Sequence, residues 1–457
     1  MPKAPTLRFL VVLAAVAVPL TAFLGACQVY DFEPVTPLSL GQTSQVTVLA
    51  VTPFKPNLLL MVDKSGSMDF PLDPNVIGAL PDGGTGLACD TAPGGTSCGQ
   101  DKSYPCDVTT CPTRWSTLTS TVTAFLTPPA PDAGAPAARF GLAFFPQPPD
   151  SDVNNQCAPL TAVQAPIPAS ADDTVASLDA LANASIDALA TVTSANPQGP
   201  TGTGGGTPTG GSFKYFNTNP SAVVDPVRDA YILLLTDGLP NCNYLLASEV
   251  GTSQCICTLT DDQDCIDARP EGIGCLDNVA TVAVITELKS VHNITTVVLG
   301  FGADAEAAAA GDTLQQMAIA GAFPTRLCPN KTQACSATNP CNLSTGACSK
   351  QYFDATDAPT LAAALAQIYA GIGAKACIVP LQEAPSNAAL ISVLVNGTAV
   401  LSSTTTWEYQ AAGTLPPNLA PNPDGPSLQF FGDLCTQIQA SSKADPLQLQ
   451  IRILTQL

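Results

Sequence analysis

Residues 57–70 read NLLLMVDKSGSMDF, an apolar run that leads directly into oxygen-bearing side chains. The apolar part does not alternate with polar residues, which predicts a strand buried on both faces, as in the centre of a parallel sheet. Asp63, Ser65 and Ser67 follow at alternate positions where that strand ends. Because ligands of open parallel sheets bind outside the carboxyl ends of the strands, these three side chains are candidates for a binding site.

The segments after this strand alternate between strand-like and helix-like patterns. The predicted strands are residues 138–146, 230–238 and 294–302, and the predicted helices are residues 113–126, 171–192, 276–291 and 305–322. Residues 351–373 predict a short strand, an aspartate cap and a helix. This alternation is typical of an α/β doubly wound sheet that is mostly parallel and flanked by helices. Asp237 also lies at the end of a predicted strand, so it is a second candidate for the same edge.

The pattern changes from residue 376 onward. Asn396 and Gly397 lie between apolar runs, which predicts a tight hairpin. Residues 446–454 alternate apolar and polar side chains, as a half-buried strand does. We therefore expect residues 376–457 to form a small antiparallel β module, closed by a disulfide between Cys377 and Cys435. A further strand is predicted at residues 44–53.

The composition of the chain argues against several functions. Its 17 Lys and Arg are outnumbered by 37 Asp and Glu, so the formal net charge is −20. No basic stripe is available to neutralise phosphates, which argues against nucleic acid as a partner. His292 is the only histidine and no nucleophile is paired with a base, so we expect a binding protein rather than an enzyme.

The N-terminus predicts export. Residues 1–26 have basic residues, an apolar stretch and then small residues, as a secretory signal peptide does. Residues 24–27, LGAC, resemble the lipobox of bacterial lipoproteins, which implies cleavage before Cys27, a diacylglycerol on its sulfur, and a tether over residues 27–44. The residue after this cysteine is not aspartate, and the resemblance then implies sorting to the outer membrane. The alternative is a plain signal peptide that is cut at the same place. No later segment of the sequence is long and apolar enough to span a bilayer.

Cysteine usage is consistent with export. The chain has 17 cysteines, and without the proposed lipid-bearing Cys27 an even number remains, which can pair fully in an oxidising compartment. The candidates for disulfide bonds are Cys89, Cys98, Cys106, Cys111, Cys157, Cys242, Cys255, Cys257, Cys265, Cys275, Cys328, Cys335, Cys341, Cys348, Cys377 and Cys435. Most lie in three Cys-rich insertions, residues 80–112, 241–275 and 326–350. Zinc binding around Cys255 and Cys257 is the alternative, disfavoured by the single histidine and by export.

Three loops together resemble the metal loops of von Willebrand factor A (VWA) domains. LLLMVDKSGSM (58–68) resembles the first strand and metal loop of that family, GGTPT (205–209) its second metal loop, and LLLTDG (233–238) its fourth-strand loop. The resemblance covers residues 45–374, with insertions, and implies a VWA-type doubly wound fold. It also implies a metal-ion-dependent adhesion site whose ligands are Asp63, Ser65, Ser67, Thr207 and Asp237.

The chemistry of these side chains suits a hard cation. Hydroxyl and carboxylate oxygens are the ligands that Mg²⁺ prefers, so Mg²⁺ is the expected ion and Mn²⁺ or Ca²⁺ are alternatives. Few charged ligands leave the ion electrophilic, so a carboxylate from outside the chain can complete its coordination. The alternative for each loop taken singly is that its serines, threonine and aspartate are turn residues and caps at strand ends.

The resemblance implies a lipid-anchored, outer-membrane VWA protein that binds a protein or surface ligand through divalent metal. It is similar to the Cys-rich VWA lipoproteins of gliding soil bacteria, one type of which is a surface adhesin, although nothing in the sequence identifies gliding motility itself. An envelope assembly or scaffold subunit that docks another protein through the same site is the alternative. A purely structural domain with a degenerate metal site is the third.

Overall fold

The computed structural model describes residues 44–51, 54–73, 75–79, 85–87, 89, 98, 104–127, 138–147, 157–169, 173–192, 206–243, 256–258, 274–302, 308–328, 332–336, 339–411, 425–441 and 446–456. The predicted signal peptide, Cys27, and Cys255 and Cys265 lie outside the described residues, as does all of the predicted tether except its last residue. The strands are β1 (Ser44–Val51), β2 (Asn57–Asp63), β3 (Ile77–Ala79), β4 (Thr85–Leu87), β5 (Arg139–Phe145), β6 (Ala230–Thr236), β7 (Ile294–Phe301), β8 (Cys341–Asn342), β9 (Ala347–Cys348), β10 (Phe353–Ala355), β11 (Ile378–Pro380), β12 (Ile391–Val395), β13 (Thr398–Val400), β14 (Trp407–Gln410), β15 (Ser427–Phe430) and β16 (Leu449–Gln456). The helices are α1 (Arg114–Leu126), α2 (Val175–Ala190), α3 (Thr209–Thr218), α4 (Asn278–His292), α5 (Ala308–Gly321), α6 (Ala358–Ala376) and α7 (Gly432–Ala440).

The central sheet has five parallel strands in the order β10–β7–β6–β2–β5. Every residue of β2 is buried, and its side chains divide between two cores. Leu58, Leu60 and Val62 belong to the core on one face of the sheet, and Leu59 and Met61 belong to the core on the other. The continuous apolar run is therefore explained by burial on both faces, as predicted.

Helices cover both faces of this sheet. Helix α1 packs against α2 and α6 on one face, and α4 packs against α3 and α5 on the other. The predicted fold class, an α/β doubly wound parallel sheet flanked by helices, with Cys-rich insertions and a small antiparallel β module, is confirmed.

The order of the strands defines a ligand-binding edge. The chain leaves β2 to form β5 on one side, then crosses over to form β6 on the other side and continues to β7 and β10. The connections from β2 and β6 thus run in opposite directions, and the crevice between their carboxyl ends is the topological switch point of the sheet. Open α/β sheets bind ligands at this position.

The C-terminal module contains two antiparallel sheets, β1–β16–β12–β13 and β11–β15–β14, around one core. The predicted hairpin is confirmed, with Asn396 and Gly397 both at positive φ between β12 and β13. The predicted N-terminal strand is present, but all of β1 pairs with β16, so it belongs to this module and not to the central sheet. The module also contains α7, which the sequence analysis did not predict.

Four of the described disulfide bonds lie within a single Cys-rich insertion, and the bond between Cys157 and Cys242 joins an insertion to the rest of the fold. The described bonds are Cys89–Cys111, Cys98–Cys106, Cys157–Cys242, Cys328–Cys341, Cys335–Cys348 and Cys377–Cys435. The last of these is the predicted closure of the C-terminal module and is confirmed. Cys257 and Cys275 are also disulfide-bonded, which removes Cys257 as a zinc ligand. Within the described ranges, no helix has both the length and the apolar character needed to cross a membrane.

Candidate metal centre

The loop after β2 folds around the carboxylate of Asp63. This residue has no exposed surface, and its Oδ1 accepts a hydrogen bond from the backbone N–H of Ser65 at 2.8 Å. A short 3-10 turn over Gly66–Asp69 begins directly afterwards. It brings the Oγ atom of Ser67 to 3.3 Å from that of Ser65, so two hydroxyls lie beside the carboxylate.

The end of β6 supplies the second carboxylate. Asp237 is fully buried, and its Oδ1 accepts a hydrogen bond from Ser67 Oγ at 2.9 Å. Thr236 donates its hydroxyl to Asp63 Oδ2 at 2.6 Å, as the parallel pairing of the two strands places these residues side by side. Hydrogen bonds thus connect Asp63, Ser65, Ser67 and Asp237, four of the five predicted ligands, into one cluster at the switch point.

The fifth predicted ligand, Thr207, lies in the segment that leads into α3 and is buried. Its N–H donates to Asn241 Oδ1 at 2.7 Å, and its carbonyl accepts from the N–H of Asn241 at 3.2 Å. These bonds fix Thr207 to the loop that follows Asp237. Among the described residues, Thr207 makes no direct hydrogen bond to the other four predicted ligands.

A disulfide holds the same two loops together. Cys242 follows Asn241 and is bonded to Cys157, and both cysteines are buried. A Cβ atom on Gly206 would lie only 2.6 Å from Cys242 Sγ and 3.0 Å from Cys157 Sγ. The chain beside Thr207 can therefore approach the disulfide this closely only because residue 206 is glycine.

A guanidinium group completes the cluster. Arg114, the first residue of α1, is buried, and its Nη1 donates to Asp237 Oδ2 at 2.8 Å. Each oxygen of Asp237 therefore has a partner, Ser67 on one side and Arg114 on the other. Arg114 was not among the residues predicted from the sequence.

The electrostatics of the cluster favour an added cation. Burial, and then the nearby charge of Asp237, raise the pKa of Asp63 to about 7, although hydrogen bonds from Thr236 and Ser65 act in the opposite direction. Two carboxylates are thus buried close together, and the guanidinium of Arg114 contacts one of them, Asp237. Because a buried carboxylate without a counter-charge is unfavourable, a divalent cation at this position would stabilise the ionised form of Asp63.

The donor set fits a hard cation. The side chains of Asp63, Ser65, Ser67, Thr207 and Asp237 offer carboxylate and hydroxyl oxygens, which are ligands for Mg²⁺, Mn²⁺ and Ca²⁺. The described residues contain one other group with metal-ligand spacing, the sulfurs of Cys89, Cys98 and Cys111, which lie within 4.8 Å of one another. All three are disulfide-bonded, so they are not available as thiolate ligands.

The sequence analysis missed three residues that shape the cluster. Thr236 could have been found from the sequence, because it directly precedes Asp237 and lies beside Asp63 once their strands are known to be neighbours. No sequence pattern marks Arg114 or Asn241, because each reaches the cluster from a segment whose position depends on the fold of the whole chain.

Comparison with known proteins gives only remote similarities. No family model and no curated protein matches the chain. Similar solved structures are proximal thread matrix protein 1 of the mussel byssus (11% identity, TM-score 0.32, 72% of this chain and 49% of that one), the manganese-loaded TRAP protein of Plasmodium vivax (12%, 0.25, 57% and 63%) and the pilus adhesin RrgA of Streptococcus pneumoniae (9%, 0.33, 90% and 58%). The chain spans about half the length of the mussel protein. At such identities and TM-scores, none of the three bears on what this chain binds.

Proposed function

We propose that this chain is a binding protein of the VWA type, which holds a protein or surface ligand through a divalent cation. One observation carries the proposal. The buried carboxylates of Asp63 and Asp237 converge with Ser65 and Ser67 at the switch point of an open parallel sheet. Ligands of such sheets bind there, and an all-oxygen donor set is suited to a hard cation.

The five residues have separate tasks in this proposal. Asp63 and Asp237 supply the negative charge, and Ser65, Ser67 and Thr207 supply neutral hydroxyls. A bound cation with so few anionic ligands offers an electrophilic position that a carboxylate of the partner can fill. Mg²⁺ is the ion we propose first, with Mn²⁺ and Ca²⁺ as alternatives. We propose binding and not turnover at this site.

We place this binding function at the cell envelope. The disulfide bonds of the described part are typical of an oxidising compartment. The lipobox-like residues before Cys27 support a lipid anchor in the outer membrane, and an adhesin-like role follows if the domain faces outward. Replacing Cys27 with serine should then move the protein from the membrane fraction to the soluble fraction. Unchanged fractionation would remove the anchor from the proposal.

Calorimetry of the full chain tests the metal site. Wild-type protein should bind Mg²⁺ or Mn²⁺ after dialysis against EDTA, and Ser67→Ala should weaken binding at least tenfold. Ser120→Ala is the matched control, because Ser120 is an exposed serine of α1 that bonds only within its own helix. Equal affinities in wild type and Ser67→Ala would refute the site.

A crosslinking pull-down from intact cells tests the binding function. Partners captured by wild-type protein should be lost with EDTA and with Asp63→Ala. A partner that survives both treatments is not held through the cation. Protease treatment of intact cells distinguishes the adhesin-like role from the alternative role, an envelope scaffold. It releases the domain only if the domain faces outward.

A further inference from the structure

The guanidinium of Arg114 lies where three strand ends of the sheet meet. Its Nη1 is 2.8 Å from Asp237 Oδ2, beyond the end of β6. The ring of Phe70, in the segment after β2, lies 5.7 Å from its Cζ. Gly302 follows β7 at φ +99°, and a Cβ atom there would lie 3.2 Å from the Nε of Arg114. The side chain therefore lies among the segments that follow β2, β6 and β7, and the first two of these carry ligands of the proposed metal site.

Burial makes this charge a permanent part of the site. Arg114 is only 6% exposed, and an arginine stays protonated at every pH at which proteins fold. The carboxylate it contacts is one of the two that would hold the cation. Any divalent ion bound there must therefore share Asp237 with a fixed positive charge.

We propose that Arg114 determines which ligands the site accepts, by making the metal-loaded site cationic. This inference rests on the proposed function. Two ionised carboxylates would neutralise a divalent cation, so with the guanidinium added the loaded site carries one net positive charge. An anionic ligand such as a carboxylate removes that charge, whereas a neutral ligand such as an amide or a hydroxyl does not.

Two consequences follow. Arg114 weakens the binding of the cation alone, because like charges share one carboxylate. It also couples cation and ligand, since each anionic ligand that binds relieves the repulsion. By thermodynamic linkage, the cation then raises the affinity for the carboxylate by the same factor by which the carboxylate raises the affinity for the cation.

The test is calorimetric titration of the full chain with Mn²⁺, in the presence of acetate or of neutral acetamide at equal ionic strength. Acetate should tighten Mn²⁺ binding to wild-type protein, and acetamide should not. Arg114→Met should bind Mn²⁺ about tenfold tighter without acetate and lose most of the acetate effect. Arg114→Lys keeps the charge, so its Mn²⁺ affinity and its acetate effect should lie closer to those of wild type than the values of Arg114→Met do. Arg326→Met, at an arginine stacked on Phe353, is the matched control.

The outcomes separate this inference from the proposed function. Unchanged or weaker Mn²⁺ binding in Arg114→Met, or equal effects of acetate and acetamide on wild type, would overturn the role of Arg114 and leave the metal site intact. Loss of affinity in the lysine and methionine variants alike would indicate that Arg114 only orients Asp237, and would also overturn it. Failure of wild-type protein to bind Mn²⁺ in a Ser67-dependent manner would overturn the proposed function itself.

Discussion

Removal of the Cys157–Cys242 disulfide, by replacing both cysteines with alanine, tests how the Thr207 loop is held. The two cysteines are 85 residues apart in the sequence. In the chain-entropy treatment of disulfides, opening a loop of that length lowers the free energy of unfolding by about 4.5 kcal/mol. The same bond packs against Gly206, so its loss should also release Thr207 and weaken Mg²⁺ binding by tenfold or more.

The Cys98–Cys106 bond is the matched control. Its cysteines are 8 residues apart, which gives a loss of only about 2.5 kcal/mol. This bond lies in a separate Cys-rich insertion whose described cysteines form their own cluster. Its removal should therefore leave the Mg²⁺ affinity of the folded protein unchanged.

Urea unfolding provides the stability measurement. The chain has two tryptophans, and Trp115 packs in the core of the central sheet while Trp407 packs in the C-terminal module. In a Trp407→Phe background, fluorescence then reports the unfolding of the α/β unit alone. Calorimetry below the unfolding transition gives the Mg²⁺ affinity of each variant.

Two results would refute the reasoning. If the Cys157/Cys242 variant keeps wild-type Mg²⁺ affinity while folded, the disulfide does not position the Thr207 loop. If its loss of stability is no greater than that of the Cys98/Cys106 variant, loop closure does not explain the stabilising effect of the bond.

Three further predictions concern single residues. Gly206→Ala should lower the free energy of unfolding in urea by about 1–3 kcal/mol and weaken Mg²⁺ binding, because its Cβ would lie 2.6 Å from Cys242 Sγ. Gly238→Ala is the control and should change neither quantity, because a Cβ there would have nothing within 4 Å. The pKa of Asp63 is raised to about 7, and the cation binds its ionised carboxylate. The Mg²⁺ affinity measured by calorimetry should therefore fall about tenfold per pH unit below pH 7 and level off above it. An affinity that does not change with pH would contradict this. Burial raises the pKa of Asp277 to about 7, so the stability that this acid contributes is fully present below about pH 4 and is lost as the pH rises through 7. Asp277→Asn should therefore gain on wild type by about 1–2 kcal/mol in unfolding at pH 8 and by less at pH 5, and an equal gain at the two pH values would contradict this reasoning.

The sequence by itself determined the class of fold and the edge where the cluster forms. The unbroken apolar run of β2 predicted burial on both faces, because a strand with one exposed face alternates. The positions of Asp63 and Asp237 at strand ends followed from the same runs, since an apolar pattern marks its own boundary. Asn396 and Gly397 predicted their hairpin because the conformation of a tight turn depends on the residues in it.

Only the tertiary structure decided which distant segments meet. The pairing of β1 with β16 joins the two ends of the described chain, and no local pattern distinguishes that partner from any other strand. The Cys157–Cys242 bond and the hydrogen bonds between Thr207 and Asn241 have the same origin. Arg114 illustrates the reason most clearly. Local periodicity could place it at the start of a helix, but its salt bridge with Asp237 exists only because that helix packs on the sheet beside the end of β6. Periodicity records which side chains are buried, whereas the partner of each buried charge is set by how the elements pack.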